Sequence, residues 1–442
     1  MRRTTRTPHR HSRTSRAVAA GIAAALGTSL LAACGSDDNG GGDGGNGSGD
    51  VTISVGVFGQ MDFTELYDEY MDENPHVKIE QNSIQENRDY YQQLITRLPT
   101  GSGLSDIQAI EVDNIYEMAN DLGQYWVNLN DSEHADLDHF VEWKRDQATS
   151  QDGRTIGFGT DIGPMAICYR TDRFEEAGLP TDREEVGQLW ADDWAQYIEV
   201  GERFMENTPS DIAYVDSAGG MFNAVLNSFS EQMYSADGEV IYQESEAVQN
   251  AWDLGVAVAE AEMSAGQDQF SEEWNRAFSN GDFATISCPA WMLAYIQDKA
   301  GQDGEGNWDV AAAPRPANWG GSFLAVPEAS KNQDEAVKLA NWLTAPEQQA
   351  KLFNTQGNFP SSATAQDSPD VQDTTHDYFR GAPIGQIFSD AAQGIPTIIV
   401  GPRNQTIRES LTDGLVMIEQ QGESPDDAWD ATVRRIENAL AD

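Results

Sequence analysis

Lysine is scarce in this chain of 442 residues, and only six of its basic residues are lysines. Lysine and arginine together number 27, against 73 aspartates and glutamates, so the formal charge at pH 7 is −46. Such an acidic surface repels nucleic acid and anionic membranes, and it disfavours anionic ligands outside a local basic pocket. We therefore expect no nucleic-acid partner.

The common catalytic and cofactor motifs are also missing. The sequence contains no Gly-x-Ser-x-Gly, no Gly-x-x-x-x-Gly-Lys, no Cys-x-x-Cys and no His-Glu-x-x-His. His134, His139 and His376 stand singly among polar residues, so we predict neither a metal site nor a cofactor. A glycoside hydrolase needs only two suitably spaced carboxylates, and among 73 acids such pairs neither support nor exclude that activity. A glycoside hydrolase therefore stays open as an alternative.

The first 33 residues have the pattern of an export signal. Residues 1–16 carry six arginines and no acid, residues 17–30 are small and apolar, and Leu31-Ala-Ala-Cys34 follows. This segment is too short for a permanent transmembrane helix. Its ending resembles a bacterial lipobox, which implies cleavage before Cys34 and lipidation of the Cys34 thiol. The alternative is a plain secretory peptide. The glycine- and aspartate-rich residues 34–50 are typical of a flexible tether.

Only two cysteines follow Cys34. Cys168 and Cys288 both lie in strand-like runs, and an exported protein meets an oxidising compartment. A disulfide between them and two buried free thiols both stay open.

The hydrophobic pattern from Val51 onward alternates between strand and helix periods. Strand-like runs at 51–58, 77–79 and 107–110 are separated by segments with apolar residues at helical spacing. This order predicts an α/β fold with a mostly parallel sheet that helices cover on both faces. The aromatic residues that recur at helical spacing, such as Trp190, Trp194 and Trp274, are predicted to be core.

Aromatic, amide and carboxylate side chains collect where predicted strands end. Trp291 follows a buried strand that Pro289 terminates, and Trp319 precedes Gly320 and another strand. Ligands of open α/β sheets bind at this edge. The other candidates at such positions are Phe58, Gln60, Asp62, Asp113, Asn114, Asp161, Arg403 and Asn404. Aromatic faces cover the apolar face of a sugar ring while planar polar groups bond its hydroxyls, so the set predicts an uncharged sugar as ligand.

Several stretches resemble the extracellular solute-binding proteins of carbohydrate ABC importers, the group that includes maltose-binding protein. The resemblance covers nearly all of the exported chain. It is strongest at 157–180, at 283–291, in Asn318-Trp-Gly-Gly-Ser322 and at 340–349. Within the group the chain looks most like the cellobiose and cello-oligosaccharide-binding lipoproteins of actinobacteria.

This resemblance implies two α/β lobes with a ligand cleft between them and hinge crossings that join them. One lobe is expected to take 51–159 and 317–357, and the other 160–316 and 358–442. Trp291 matches a sugar-stacking tryptophan of the maltose-binding relative, and Asp113 matches an acid that bonds sugar hydroxyls there. That relative has a further stacking tryptophan near Pro402 and Arg403, where this sequence has no aromatic residue.

The implied function is sugar capture by hinge closure and delivery to a permease, without catalysis. We expect cellobiose or a cello-oligosaccharide as ligand, the transmembrane subunits of an ABC permease as partner, and a monomer on the extracellular face of the cell membrane. We expect the lipid to be its only contact with the membrane. Xylobiose and maltodextrin stay open as other ligands.

Overall fold

The computed structural model describes residues 49–191, 193–209 and 212–441. The predicted export signal of residues 1–33, the lipidated Cys34 and the tether as far as residue 48 lie outside the described residues. None of the helices in the described part combines the length and the apolar character that a membrane crossing requires.

The strands within the described residues are β1 Val51–Phe58, β2 Val77–Ile84, β3 Ile107–Glu111, β4 Gly157–Gly159, β5 Asp161–Ile162, β6 Met165–Arg170, β7 Ala213–Val215, β8 Phe283–Pro289, β9 Trp308–Ala312, β10 Ser322–Ala325 and β11 Phe359–Pro360.

The helices are α1 Thr64–Glu73, α2 Asn87–Arg97, α3 Val112–Asn120, α4 Glu142–Gln147, α5 Thr171–Glu176, α6 Arg183–Gln188, α7 Trp194–Asn207, α8 Ala218–Leu226, α9 Glu246–Glu260, α10 Glu272–Asn280, α11 Met292–Ala300, α12 Gln333–Leu343, α13 Pro346–Gln356, α14 Ala363–Gln366, α15 Pro369–Gln372, α16 Ile384–Gln393, α17 Asn404–Gln421 and α18 Pro425–Ala441.

The first sheet has the strand order β2-β1-β3-β10-β4. Strand β1 runs parallel to β2 and β3, whereas β10 pairs antiparallel with β3 and β4. Ile53, Val55 and Val57 of β1 are fully buried, and separate hydrophobic clusters pack on the two faces of the sheet. Helices cover both faces, so the inner strand β3 is buried from Ile107 to Ile110, whereas only Val77 is buried in the edge strand β2.

The second sheet has the order β7-β8-β6-β9 and is mainly antiparallel. Strand β6 pairs antiparallel with β8 and β9, and only β7 runs parallel to β8. A disulfide joins Cys168 of β6 to Cys288 of β8. The aromatic helix residues predicted to be core are confirmed as core, since Trp190, Trp194 and Trp274 are at most 3% exposed.

The chain passes between the two sheets three times. The passages lie between β4 and β6, between β9 and β10, and after α13, where β5 and β11 form a small antiparallel ladder. An isolated bridge between Pro164 and Asn318 ties the first passage to the second. The three passages therefore lie side by side, as a hinge region requires.

A half-buried acid, Glu419 of α17, lies at the amino end of α8. One carboxylate oxygen of Glu419 accepts a hydrogen bond from the backbone N–H of Ala218 at 3.1 Å. Burial and, to a smaller extent, the charge of Asp216 raise the pKa of this carboxyl to about 7, against the hydrogen bonds from Ser264 and Ala218. The folded state therefore holds a proton that the unfolded chain has already released.

We expect the contribution of Glu419 to stability to be lost as the pH rises from about 4.5 to about 7. A raised folded-state pKa makes stability fall with pH, here by about 3 kcal/mol at most. The measurement is the difference in Tm between the wild type and Glu419→Gln at pH 4.5, 6 and 8. The wild type should lose a few degrees relative to the variant over this range. Glu423→Gln, at an exposed position nearby, is the control, and a constant difference for Glu419→Gln would contradict the assignment.

Candidate functional site

A cavity of about 840 Å³ lies between the two sheets and opens to solvent. One wall comes from the first-sheet side, through the end of β1, the start of α2 and the end of β3. The opposite wall comes from α8, α17 and the end of β8. Small-molecule sites usually measure roughly 300–1,000 Å³, so this cavity has room for an oligosaccharide.

Trp291 and Trp319 form the aromatic floor of the cavity. Trp291 directly precedes α11, and its indole Nε1 donates a hydrogen bond to the carbonyl oxygen of Trp319 at 2.9 Å. The two ring centroids are 5.5 Å apart at an interplanar angle of 70°. Both tryptophans are half-buried and line the cavity, as predicted from their positions at strand ends.

Glycines allow the close approach of the two tryptophans. A Cβ on Gly163 would lie 1.9 Å from the carbonyl oxygen of Trp319. Gly320 has φ +84°, and a Cβ there would lie 3.0 Å from the indole nitrogen of Trp291. Any side chain at Gly163 would therefore displace the crossing segment that carries Trp319.

A third aromatic residue, Phe270, lines the cavity beside Trp291 and Trp319, and the sequence analysis did not predict it. Its ring lies 6.3 Å from that of Trp291, 6.5 Å from Trp319 and 5.9 Å from Tyr295. The backbone of Phe270 is left-handed at φ 69°, and the side chain remains 36% exposed in the cavity. A bulky residue with positive φ is an uncommon conformation that often occurs at a functional site.

The buried carboxylate of Asp216 holds the loop that carries Phe270. One of its oxygens accepts hydrogen bonds from Gln269 Nε2 at 2.7 Å and from the indole Nε1 of Trp274 at 2.8 Å. Asp216 is 1% exposed, and burial raises the pKa of its carboxyl. Asp216 thus holds the loop from behind the cavity wall. No local sequence pattern indicates this contact.

The predicted carboxylates reach the cavity with different hydrogen-bond partners. Asp161 accepts bonds from Thr160 Oγ1 at 2.6 Å and from the backbone N–H of Ser322 at 3.0 Å. Asp62 precedes α1 and accepts a hydrogen bond from the backbone N–H of Thr64, the first residue of that helix, at 2.9 Å. Phe58 and Gln60 also line the cavity. Asp62 therefore bonds the turn that leads into α1 and also has access to a ligand, and Asp161 links a crossing segment to the first sheet.

Asp113 lines the cavity but is already bonded to the opposite wall. Its Oδ1 accepts a hydrogen bond from Asn404 Nδ2 at 2.8 Å, and its Oδ2 lies 2.9 Å from Arg408 Nε. Arg408, on the first turns of α17, was not among the predicted residues. Only part of the acceptor capacity of Asp113 therefore remains for a ligand.

Three predicted site residues do not line the cavity, and this part of the prediction is corrected. Asn114 is 4% exposed because it lies on the buried side of α3. Arg403 precedes α17 with a left-handed backbone and is exposed to solvent outside the cavity. Asn404 is 1% exposed and bonds Asp113 behind the wall. Because α17 begins at Asn404, its cavity face is formed by Gln405, Arg408, Glu409, Thr412 and Asp413.

Two ionisable groups near the cavity have shifted pKa values: Glu111 is half-buried and lines the cavity, whereas Lys144 is buried and does not line it. Burial and the neighbouring charge of Asp113 raise the pKa of the Glu111 carboxyl. Lys144 is 1% exposed, and its ammonium lies 3.8 Å from the ring centroid of Phe323 without a hydrogen-bond partner among the described residues. Burial lowers the pKa of Lys144. Within the described residues, no group of three or more His, Cys, Asp or Glu side chains is placed to hold a metal ion.

Comparison with known proteins identifies the family. The sequence model of the bacterial extracellular solute-binding proteins matches residues 65–379. The lactose-binding protein of Rhizobium radiobacter is 26% identical over 327 residues, which are 71% of this chain and 74% of that protein. The arabinooligosaccharide-binding protein of Halalkalibacterium halodurans is 24% identical over 360 residues, 78% of each chain.

Solved structures agree with this assignment. The crystal structure of an extracellular solute-binding protein of family 1 is 39% identical, with a TM-score of 0.77, and the match covers 88% of this chain and 99% of that one. The sugar-binding protein MalE of Xanthomonas citri shares the fold at 17% identity, with a TM-score of 0.67 and coverage of 88% and 98%. The chain therefore belongs to the bacterial extracellular solute-binding proteins, a family of non-enzymatic binding proteins, and has their mixed α/β periplasmic-binding-protein fold.

Proposed function

We propose that this protein is the substrate-binding component of an ABC importer and captures an uncharged oligosaccharide in the cavity. The observation that carries the proposal is that three aromatic residues, Trp291, Trp319 and Phe270, line the cavity together with carboxylate and amide side chains. The indole and phenyl faces cover the apolar face of a pyranose, and the polar groups bond its hydroxyls. Binding to both walls at once stabilises the closed arrangement through contacts that an open arrangement lacks.

The charges of the cavity support an uncharged ligand. Its two arginines, Arg88 and Arg408, each lie within 3.0 Å of a carboxylate, on Glu409 and Asp113 respectively. The other charged residues of the lining are acids, namely Asp62, Glu86, Asp89, Glu111, Asp161, Asp268 and Asp413. A uronic acid would therefore meet carboxylates without a free cation to pair with.

Cellobiose or a short cello-oligosaccharide is the ligand we propose. Relatives are named for lactose and arabinooligosaccharide, and an ABC transporter-associated binding protein from B. animalis subsp. lactis Bl-04 was solved with β-1,6-galactobiose. These names support a disaccharide or a longer oligosaccharide, while the preference for β-1,4-linked glucose comes from the resemblance of this sequence to cellobiose-binding lipoproteins. Xylobiose and maltodextrin are the competing ligands.

Residues 49–442 form one compact unit, and isothermal titration calorimetry of this part of the chain tests which sugar it binds. We expect saturable heat with cellobiose or cellotriose, and weaker or no heat with xylobiose, maltotriose, lactose and cellobiouronic acid. Chromatography of the mixture should recover the sugar intact. If maltotriose or xylobiose binds more tightly than cellobiose, that sugar becomes the proposed ligand. If no sugar binds, the proposed function is contradicted.

Lobe boundaries, anchor and partner are part of the same proposal. We assign one lobe to 51–159 and 317–357 and the other to 160–316 and 358–442; the membership of the strands in two separate sheets supports this division. Lipidated Cys34 would hold the protein on the extracellular face of the membrane as a monomer. The permease subunits would then take the sugar from the closed form.

A further inference from the structure

Two ion pairs cross the cavity and join its walls. Arg88 of α2 lies with Nε 3.0 Å from Glu409 Oε2 of α17, and Arg408 of α17 lies with Nε 2.9 Å from Asp113 Oδ2 of α3. The polarity of the two pairs is opposite. In the first pair the cation belongs to the first-sheet wall, and in the second it belongs to the α17 wall.

Arg408 is held rigidly on its own wall. Its two terminal nitrogens donate hydrogen bonds to Asn227 Oδ1 and Gln232 Oε1, both at 3.2 Å. The residue is 8% exposed, so its guanidinium reaches Asp113 as a fixed group. A fixed, poorly hydrated guanidinium loses little entropy when it meets its partner.

Apart from Arg88 and Arg408, the charged residues that line the cavity are all acids. The protein carries 73 acids against 27 basic residues, and Asp268 and Asp413 lie on the α17 side of the cavity that Arg88 faces. Burial and the nearby Asp413 raise the pKa of Asp268, against the opposing charge of Arg88. Without the two arginines, facing carboxylates would repel each other across the cavity.

We propose that the two cross-cavity ion pairs form a latch that draws the walls together before a ligand binds. The latch is defined here by Arg88, Glu409, Asp113 and Arg408. Arg88 and Glu409 then act as positioning residues: they set the fraction of ligand-free molecules whose walls are close enough for one sugar to contact both. Apparent affinity scales with that fraction. Of the two measurements described below, only the sugar affinity rests on the proposed function.

Charge reversal of Arg88 and Glu409 tests the latch at its exposed end. Their side chains are 56% and 27% exposed, so single variants should fold. We expect Arg88→Glu and Glu409→Arg each to widen the separation of the walls in the ligand-free protein and to weaken apparent sugar affinity about threefold to tenfold. The double reversal should restore both properties to within about twofold of the wild type.

Spin labels at Lys78→Cys and Glu260→Cys, on exposed positions of β2 and α9, report the separation by double electron–electron resonance. Calorimetry with the tightest-binding sugar reports the affinity. The matched control is Lys351→Glu, which breaks an ion pair with Glu69 of comparable exposure outside the cavity lining and should change neither readout.

Single reversals that leave the distance distribution unchanged would overturn the latch, and so would a double reversal that fails to restore it. Failure of the proposed function is separate. If no sugar binds, the resonance measurement still decides whether the ion pairs hold the walls together.

Discussion

Replacement of Trp291 by alanine is expected to weaken sugar binding by about 10- to 100-fold. Stacking on an aromatic side chain contributes roughly 1–3 kcal/mol for a nucleobase, and we expect a similar contribution for a sugar ring. Each 1.4 kcal/mol is a factor of ten in Kd. The substitution also removes the indole that donates to the carbonyl oxygen of Trp319 at 2.9 Å. Trp319 therefore loses the contact that fixes its ring beside the cavity. The measurement is Kd by calorimetry with the best ligand of the sugar panel.

Stability distinguishes a binding role of Trp291 from a core role. Trp291 is half-buried at the end of β8, so the Tm of the ligand-free variant should change by only a few degrees. Trp342→Ala is the matched control, because Trp342 is also half-buried but packs on Tyr70, and neither residue lines the cavity. The control should lower Tm without changing Kd. A large drop in Tm for Trp291→Ala with unchanged Kd would show that Trp291 belongs to the core.

Trp291 also shows how much of the site can be predicted from local sequence. Its position follows from a buried run that Pro289 ends, and Trp319 follows from the glycines after it. Both signals are local, since a strand that ends at the sheet edge places the next side chains beside the ligand. The three parallel strands of the first sheet were predictable for the same reason, because hydrophobic periodicity determines them.

Residues fixed by tertiary contacts could not be predicted in this way. Phe270 reaches the cavity because Gln269 bonds Asp216, which is 53 residues away, and because its backbone is left-handed. Arg88 and Arg408 lie on helices whose register across the cavity depends on how the two sheets are placed. The error at Arg403 and Asn404 has a similar origin. The helix begins at Asn404, and its period of 3.6 residues directs Gln405 and Arg408 into the cavity.

Removal of the disulfide between Cys168 and Cys288 is expected to destabilise the protein by about 4–5 kcal/mol, lowering Tm by about 5–10 °C. The cross-link closes a loop of sequence separation 120, so its loss restores much conformational entropy to the unfolded chain. Both cysteines are fully buried, and the Cα atoms are 5.4 Å apart on neighbouring strands β6 and β8. The measurement is Tm of Cys168→Ala/Cys288→Ala by calorimetry.

The single variant Cys168→Ala separates the cross-link from packing. It loses the disulfide but keeps the sulfur of Cys288, so its Tm should lie close to that of the double variant. Chemical reduction of the wild type should lower Tm by a similar amount, and an unchanged Tm after complete reduction would contradict the prediction. Cys288 lies only three residues before Trp291, on strand β8, which pairs with β6 and β7. We expect the variants to keep this pairing. Sugar affinity at 25 °C should therefore change less than threefold. Hydrogen bonds to the neighbouring strands hold β8, which positions Trp291, and the cross-link acts mainly on the unfolded state.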